Sequence, residues 1–170
     1  MKAMLAGLAL AVALALAWPA PAVDSGAAVE LRPFVRGSWQ ALRRAHAGQP
    51  TVVHFWGLTC GPCLAELPSW GRLVRERPDM TLVLVDADPV PDERAGVIAT
   101  LARDGLSGVE SWLFDDRFEE RLRFEIDPRW QGEMPHTVML GRDGRSVTIT
   151  GVADLREVRA WLDAQKKVLR

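Results

Sequence analysis

The feature that most constrains this chain is Cys60-Gly61-Pro62-Cys63, which contains its only two cysteines and separates a strand-like run from a helix-like one. The run before it, Thr51-Val-Val-His-Phe-Trp56, has the Val, Phe and Trp content of a buried strand. The run after it, Leu64 to Arg77, reads as a helix. Two intervening residues at a helix start bring both sulfurs within bonding reach. The first sulfur then lies at the positive end of the helix dipole, where a thiolate is stabilised and reactive. A pair that closes and reopens is a redox tool. A structural staple is the alternative, but a disulfide around so short a loop restrains the unfolded chain little. Metal binding by the same pair is the other.

The N-terminus sets the compartment. Lys2 supplies a minimal positive region, Leu5 to Ala17 is an unbroken apolar run, and Ala20-Pro21-Ala22 offers an A-x-A arrangement. Residues 1–22 therefore read as a secretory signal peptide cleaved after Ala22. An uncleaved anchor is the alternative, against which stands a run shorter than the roughly 20 residues that span a bilayer. Residues 23–30 read as a short tether and residues 31–170 as one domain, long enough for a full core. Removing Lys2, the only charge in the leader, from a formal −1 leaves −2, which gives no electrostatic case for nucleic acid or an anionic membrane. The expected location is the periplasm or an equivalent exported space. That space is oxidising, and a chain whose whole cysteine supply is one adjacent pair there has a working pair, not a disulfide-dense scaffold.

Periodicity and punctuation order the rest. Leu31 to Val35 reads as an edge strand, Ser38 as the N-cap of a helix through His46, and Gly48 and Pro50 as its end. The helix from Pro62 carries Pro68, which removes one hydrogen bond and predicts a kink. Thr81 to Val85 is apolar on both faces, as a central parallel strand should be. Asp86 to Asp92 reads as a solvated Pro- and Asp-rich loop, without the spacing of a calcium loop. A helix from about Glu93 to Arg103, a strand at Glu110 to Phe114 and a charged helix from Asp116 to Glu125 follow. Asp127 to Pro135 reads as irregular, and His136 to Leu140 and Arg145 to Thr150 as a hairpin turning at Gly141-Arg-Asp-Gly144. Asp154, with Glu157 three residues on, predicts a capped last helix whose stripe is Leu155, Val158, Trp161, Leu162 and Val168. Alternating strands and helices predict an α/β chain: a central mixed sheet with helices on both faces.

Taken together these residues resemble the thioredoxin superfamily, and within it the exported TlpA/ResA-like thiol–disulfide oxidoreductases. Trp56-Gly-Leu-Thr-Cys60-Gly-Pro-Cys63 is similar to the family's W-x-x-x-C-x-x-C signature, and Pro68 to the proline of its active-site helix. Met134-Pro135 before His136-Thr-Val-Met-Leu140 resembles its cis-proline and following strand. The segment from Pro89 to Glu110 resembles the helix-and-strand insertion of the exported branch. The likeness implies the thioredoxin fold with that insertion.

It also implies roles. Cys60 would be the exposed attacking thiol and Cys63 the buried resolving one. Gly61 would let a partner chain approach, and Pro62 suits the first helical turn, where its missing N–H costs little. His54 falls where thioredoxin has a buried Asp beneath the second cysteine, and would take a proton from Cys63. The competing account of His54 is a core histidine bonded to a backbone carbonyl. Glu66 matches an acid that ResA-like proteins carry near the redox pair, the competing account being a solvated helix-face residue. Pro135 would be cis, Met134 would face the substrate with a soft, adaptable side chain, and Trp56 would shield the disulfide and line the docking surface. Trp56 as a plain core residue is the alternative, and Trp130 is expected exposed near the docking groove.

Three functions follow for comparison. The first is reduction of protein disulfides with no cofactor beyond the Cys60–Cys63 disulfide, on clients such as apocytochromes c or copper-site proteins. That protein would be a monomer supplied with electrons by a membrane thiol donor. The second is a copper metallochaperone holding Cu(I) on the two cysteines with Met134 or His136 nearby, although no third ligand stands at metal-motif spacing and no metal site is expected. The third is a disulfide oxidant.

Overall fold

The computed structural model describes residues 28–88 and 93–167. The expected signal peptide, most of the tether and Val168 lie outside the described residues. The described chain alternates β1 (Leu31–Phe34), α1 (Ser38–Ala45), β2 (Thr51–Trp56), α2 (Gly61–Glu76), β3 (Thr81–Asp86), α3 (Arg94–Arg103), β4 (Glu110–Phe114) and α4 (Glu119–Ile126). It closes with β5 (His136–Leu140), β6 (Ser146–Thr150) and α5 (Leu155–Lys167).

The six strands form one sheet in the order β1-β4-β3-β2-β5-β6. β1, β4, β3 and β2 run parallel, and β5 and β6 run antiparallel to their neighbours, so the sheet is mixed. β2 and β3 lie in its middle and are buried on both faces, which is why their sequences read as continuous apolar runs rather than alternations. β4 is inserted between β3 and the edge strand β1, and α3 is the helix that carries the chain to it.

Each face has its own core. On one side Leu67, Trp70 and Leu73 of α2, Val97 and Leu101 of α3, and Val158 and Leu162 of α5 cover Val52, Trp56, Leu82 and Leu84. On the other, Trp39 and Leu42 of α1 and Leu122 and Ile126 of α4 cover Val53, Phe55, Val83 and Val85. Each fully buried aliphatic or aromatic side chain contributes roughly 1.5–3 kcal/mol. α2 and the end of α3 pack so tightly that a Cβ on Gly71 would overlap the Asp104 carbonyl.

Several boundaries differ from the sequence expectation for local reasons. Gly37, at φ +84°, occupies the N-cap of α1, while the Ser38 hydroxyl accepts from the Val35 N–H at 2.9 Å. α4 starts at Glu119 because the Asp116 carboxylate accepts from the Phe118 N–H at 2.9 Å and closes a turn before the helix. β6 starts at Ser146, since the Arg145 N–H is held by the Asp143 carboxylate at 3.0 Å inside the hairpin turn. Val29, two residues before β1, is packed into the core. Asp154 does cap α5: its carboxylate accepts from the Arg156 N–H at 2.9 Å.

Candidate functional site

β2 delivers the chain to a short turn, Gly57 to Cys60, and α2 begins immediately after it. Cys60 is the N-cap in extended conformation (φ −88°, ψ 96°), and its Sγ accepts from the Cys63 N–H at 3.2 Å. The two cysteines are joined by a disulfide with their Cα atoms 5.2 Å apart. Cys63 has no exposed surface, whereas Cys60 is half-buried and Gly61 and Pro62 are exposed. A side chain added at Gly61 would meet nothing within 4 Å, so the approach to Cys60 is open on that side.

Three residues past Cys63 in α2, Glu66 belongs to a buried polar chain. Side chains alternate along β2, so His54 and Trp56 face the α2 layer while Val53 and Phe55 face the other. His54 is fully buried, its Nδ1 is 2.9 Å from Thr137 Oγ1 on β5, and its ring lies 4.9 Å from that of Trp70. Its Nε2 is 3.1 Å from Glu66 Oε1, a contact that lacks the alignment of a hydrogen bond. Glu66 Oε2 accepts from the Ala153 N–H at 3.1 Å. Glu66 is 7 % exposed, not solvated, and His54 is partnered by side chains rather than a backbone carbonyl. Thr137 and Ala153 lie 83 and 87 residues from their partners, and no local pattern marks them.

The Met134–Pro135 bond is cis, and the Pro135 carbonyl accepts from the Gly151 N–H at 2.8 Å. The β2–β5 register pairs Phe55 with His136, and one step further sets Pro135 beside Trp56, at the sheet end that carries the cysteine turn. Met134 is half-buried and touches both cores. Trp56 requires a correction, because with no exposed surface it packs in the core with Cys63 and does not line a docking surface.

Trp130 is also corrected. It is 6 % exposed, stacks on His136 at 4.4 Å and 7° between planes, and donates its indole N–H to the Glu133 carbonyl at 2.8 Å. His136 is itself 1 % exposed, and burial pushes its pKa down to about 4. Among the described residues no three or more His, Cys, Asp and Glu side chains converge to hold a metal ion.

The third correction concerns Asp86 and Asp88; residues 89–92 of the expected loop lie outside the described residues. Asp86 and Asp88 are 2 % and 7 % exposed, not solvated. Burial, aided by the charges of Asp88 and Glu93, pushes the Asp86 carboxyl up to about 7. Asp88 Oδ2 accepts from the Thr59 N–H at 2.6 Å, next to Cys60.

A βαβ unit ending in a helix-capping Cys-x-x-Cys, followed by a β-hairpin entered through a cis-proline and a final helix, is the thioredoxin fold, and this chain has it with α3 and β4 inserted. No family model matches the chain, and no curated protein sequence matches it significantly. Solved structures do. A secreted Mycobacterium tuberculosis disulfide oxidoreductase homologous to E. coli DsbE is similar over 71% of this chain and 85% of its own, with 19% identity and a TM-score of 0.55. StoA from Bacillus subtilis is similar over 68% of this chain and 83% of its own, with 24% identity and a TM-score of 0.53. A thio-disulfide isomerase from Thermus thermophilus is similar over 68% and 78%, with 23% identity and a TM-score of 0.52. Among the described residues no helix is long and apolar enough to cross a membrane.

Proposed function

We propose that this protein is an exported, monomeric thiol–disulfide oxidoreductase that reduces disulfides in client proteins through Cys60 and Cys63. The carrying observation is the asymmetry of the pair: a half-buried sulfur at a helix start, bonded to a fully buried one near a His–Glu pair. The likeness of its fold to a secreted disulfide oxidoreductase and to a thio-disulfide isomerase supports the same reading.

In the reduced protein the Cys60 thiolate attacks one sulfur of a client disulfide, forming the Cys60–client bond and releasing the client's other sulfur as a thiolate. The Cys63 thiol then gives its proton to the His54–Glu66 pair and attacks Cys60 Sγ. The Cys60–Cys63 bond forms, the second client sulfur leaves with the electron pair, and the proton passes to the client. The client gains two electrons and the protein loses two, which a membrane dithiol donor restores. No cofactor beyond the cysteine pair is needed. The buried site makes Cys63 reachable only from Cys60, which favours resolution within the protein over attack by a second client. Met134 and the backbone before Pro135 would pair with an extended client segment. Clients of the kind proposed are apocytochromes c and copper-site proteins in the periplasm, where the signal-like leader would send the chain.

Trapping and potential test this together. Cys63→Ser should accumulate mixed disulfides with client proteins in whole cells, and Cys60→Ser should abolish exchange. The reverse pattern overturns the assigned roles. A strongly oxidising potential would replace the reductant with an oxidant. Tight Cu(I) binding by the reduced protein without exchange activity would replace both with a copper carrier.

A further inference from the structure

The turn that presents Cys60 is clamped from β3 and the inserted helix. The Ala87 N–H donates to the Trp56 carbonyl at 2.8 Å, carrying the β2–β3 pairing one residue past the strand ends. Asp86 accepts from the Asp88 N–H at 2.9 Å, which aims the Asp88 side chain back across the turn. There Asp88 Oδ2 meets the Thr59 N–H at 2.6 Å. Gly57 is what admits it, since a Cβ at that position would lie 2.7 Å from Asp88 Cβ. On the α3 side, a Cβ on Gly96 would lie 3.0 Å from Leu58 Cδ1, so the inserted helix rests on the middle of the same turn. A buried carboxylate is a costly way to satisfy one exposed-residue N–H, when a neutral acceptor would serve. What only the acid adds is charge, and it stands beside the N-terminus of α2, where the helix dipole stabilises a Cys60 thiolate.

We infer that Asp88 is a positioning residue for Cys60: it fixes the Gly57–Cys60 turn through the Thr59 N–H, and its charge opposes the helix dipole, keeping the Cys60 thiol more protonated and the pair more reducing. Destabilising the thiolate destabilises the reduced form, the converse of what makes a cysteine pair strongly oxidising. The inference rests on the exchange chemistry proposed above. It extends that chemistry by making the end of β3 a determinant of the potential.

The test uses the intact protein and two substitutions. Asp88→Asn keeps an acceptor of the same size for the Thr59 N–H and removes the charge, whereas Asp88→Ala removes both. Thiolate absorbance against pH and equilibration with glutathione report the charge, and amide exchange at Thr59 reports the anchor. Asp88→Asn should raise the Cys60 thiolate fraction at fixed pH about threefold and shift the glutathione equilibrium toward the dithiol by a like factor. Asp88→Ala should do the same and also speed Thr59 exchange about tenfold. A wild-type thiolate fraction and equilibrium in Asp88→Asn would overturn the role of the charge, and unchanged Thr59 exchange in Asp88→Ala would overturn the anchor. Should the wild-type pair fail to cycle with glutathione at all, the exchange reading itself falls, while Thr59 exchange still decides the anchor.

Discussion

His54 and His136 sit one strand apart in register-adjacent positions of the same sheet, both buried, and they are used in opposite ways. His54 faces the α2 layer, where a carboxylate lies 3.1 Å from one nitrogen and a hydroxyl 2.9 Å from the other. His136 faces the α1–α4 layer, stacked on Trp130, with one nitrogen 3.4 Å from Thr150 Oγ1 and Nε2 unpartnered. Desolvation dominates there, and the more distant charges of Asp127 and Glu133 offset it only in part. The difference teaches that burial alone makes a histidine an inert, neutral filler. At His54 an acid stands at contact distance instead.

The largest effect that sharpens this contrast is on stability against pH. The folded Asp86 keeps its proton up to about pH 7, while the unfolded chain releases it near the ordinary 3.8, so its contribution falls as pH rises between those values, by roughly 4 kcal/mol. His136 has the opposite sign. The unfolded chain takes a proton near 6.5 but the folded protein only near 4, so stability falls as pH drops through that window. Allowing for solvent screening, that loss is about 2 kcal/mol. Urea midpoints should therefore climb from pH 4 to 6.5 in Asp86→Asn and decline from pH 4 to 7 in His136→Gln. Identical profiles in the two variants would break the account.

Next in size is the chemistry of the paired histidine. Glu66→Gln should slow the resolving step about a hundredfold and alter its pH profile, read by quenched-flow release of a client thiol, whereas His136→Gln should leave that step unchanged. Equal slowing by both would erase the distinction. Smaller still are the hydroxyl partners. Thr137→Val should cost about 1–2 kcal/mol, because it strips a buried nitrogen of its bond. Thr150→Val should cost under about 0.5 kcal/mol, because that contact is long and Thr150 itself is exposed. Chemical denaturation of the two variants orders them.

Local pattern carried much of this. Period-2 alternation in Thr51-Val-Val-His-Phe-Trp56 put His54 and Trp56 on one face, and the Cys60–Cys63 spacing put a disulfide at a helix start. What local pattern could not carry was who meets whom across the sheet. Asp88 looks like a loop acid because the turn it packs against, at Gly57, lies 31 residues earlier. Trp130 sits in an irregular segment with no period to say which way it points. Its burial follows from the flat face of His136. Asp86 is buried by the strand itself, because the β2–β3 pairing continues through it to Trp56.

The bond from the Ala153 N–H to Glu66 has a consequence for how the molecule is made. Cys60 and Cys63 precede Ala153 by 93 and 90 residues, so a chain emerging from its N-terminus can close that pair while Glu66 still lacks its anchor. The buried polar chain is complete only when the segment before α5 is in place.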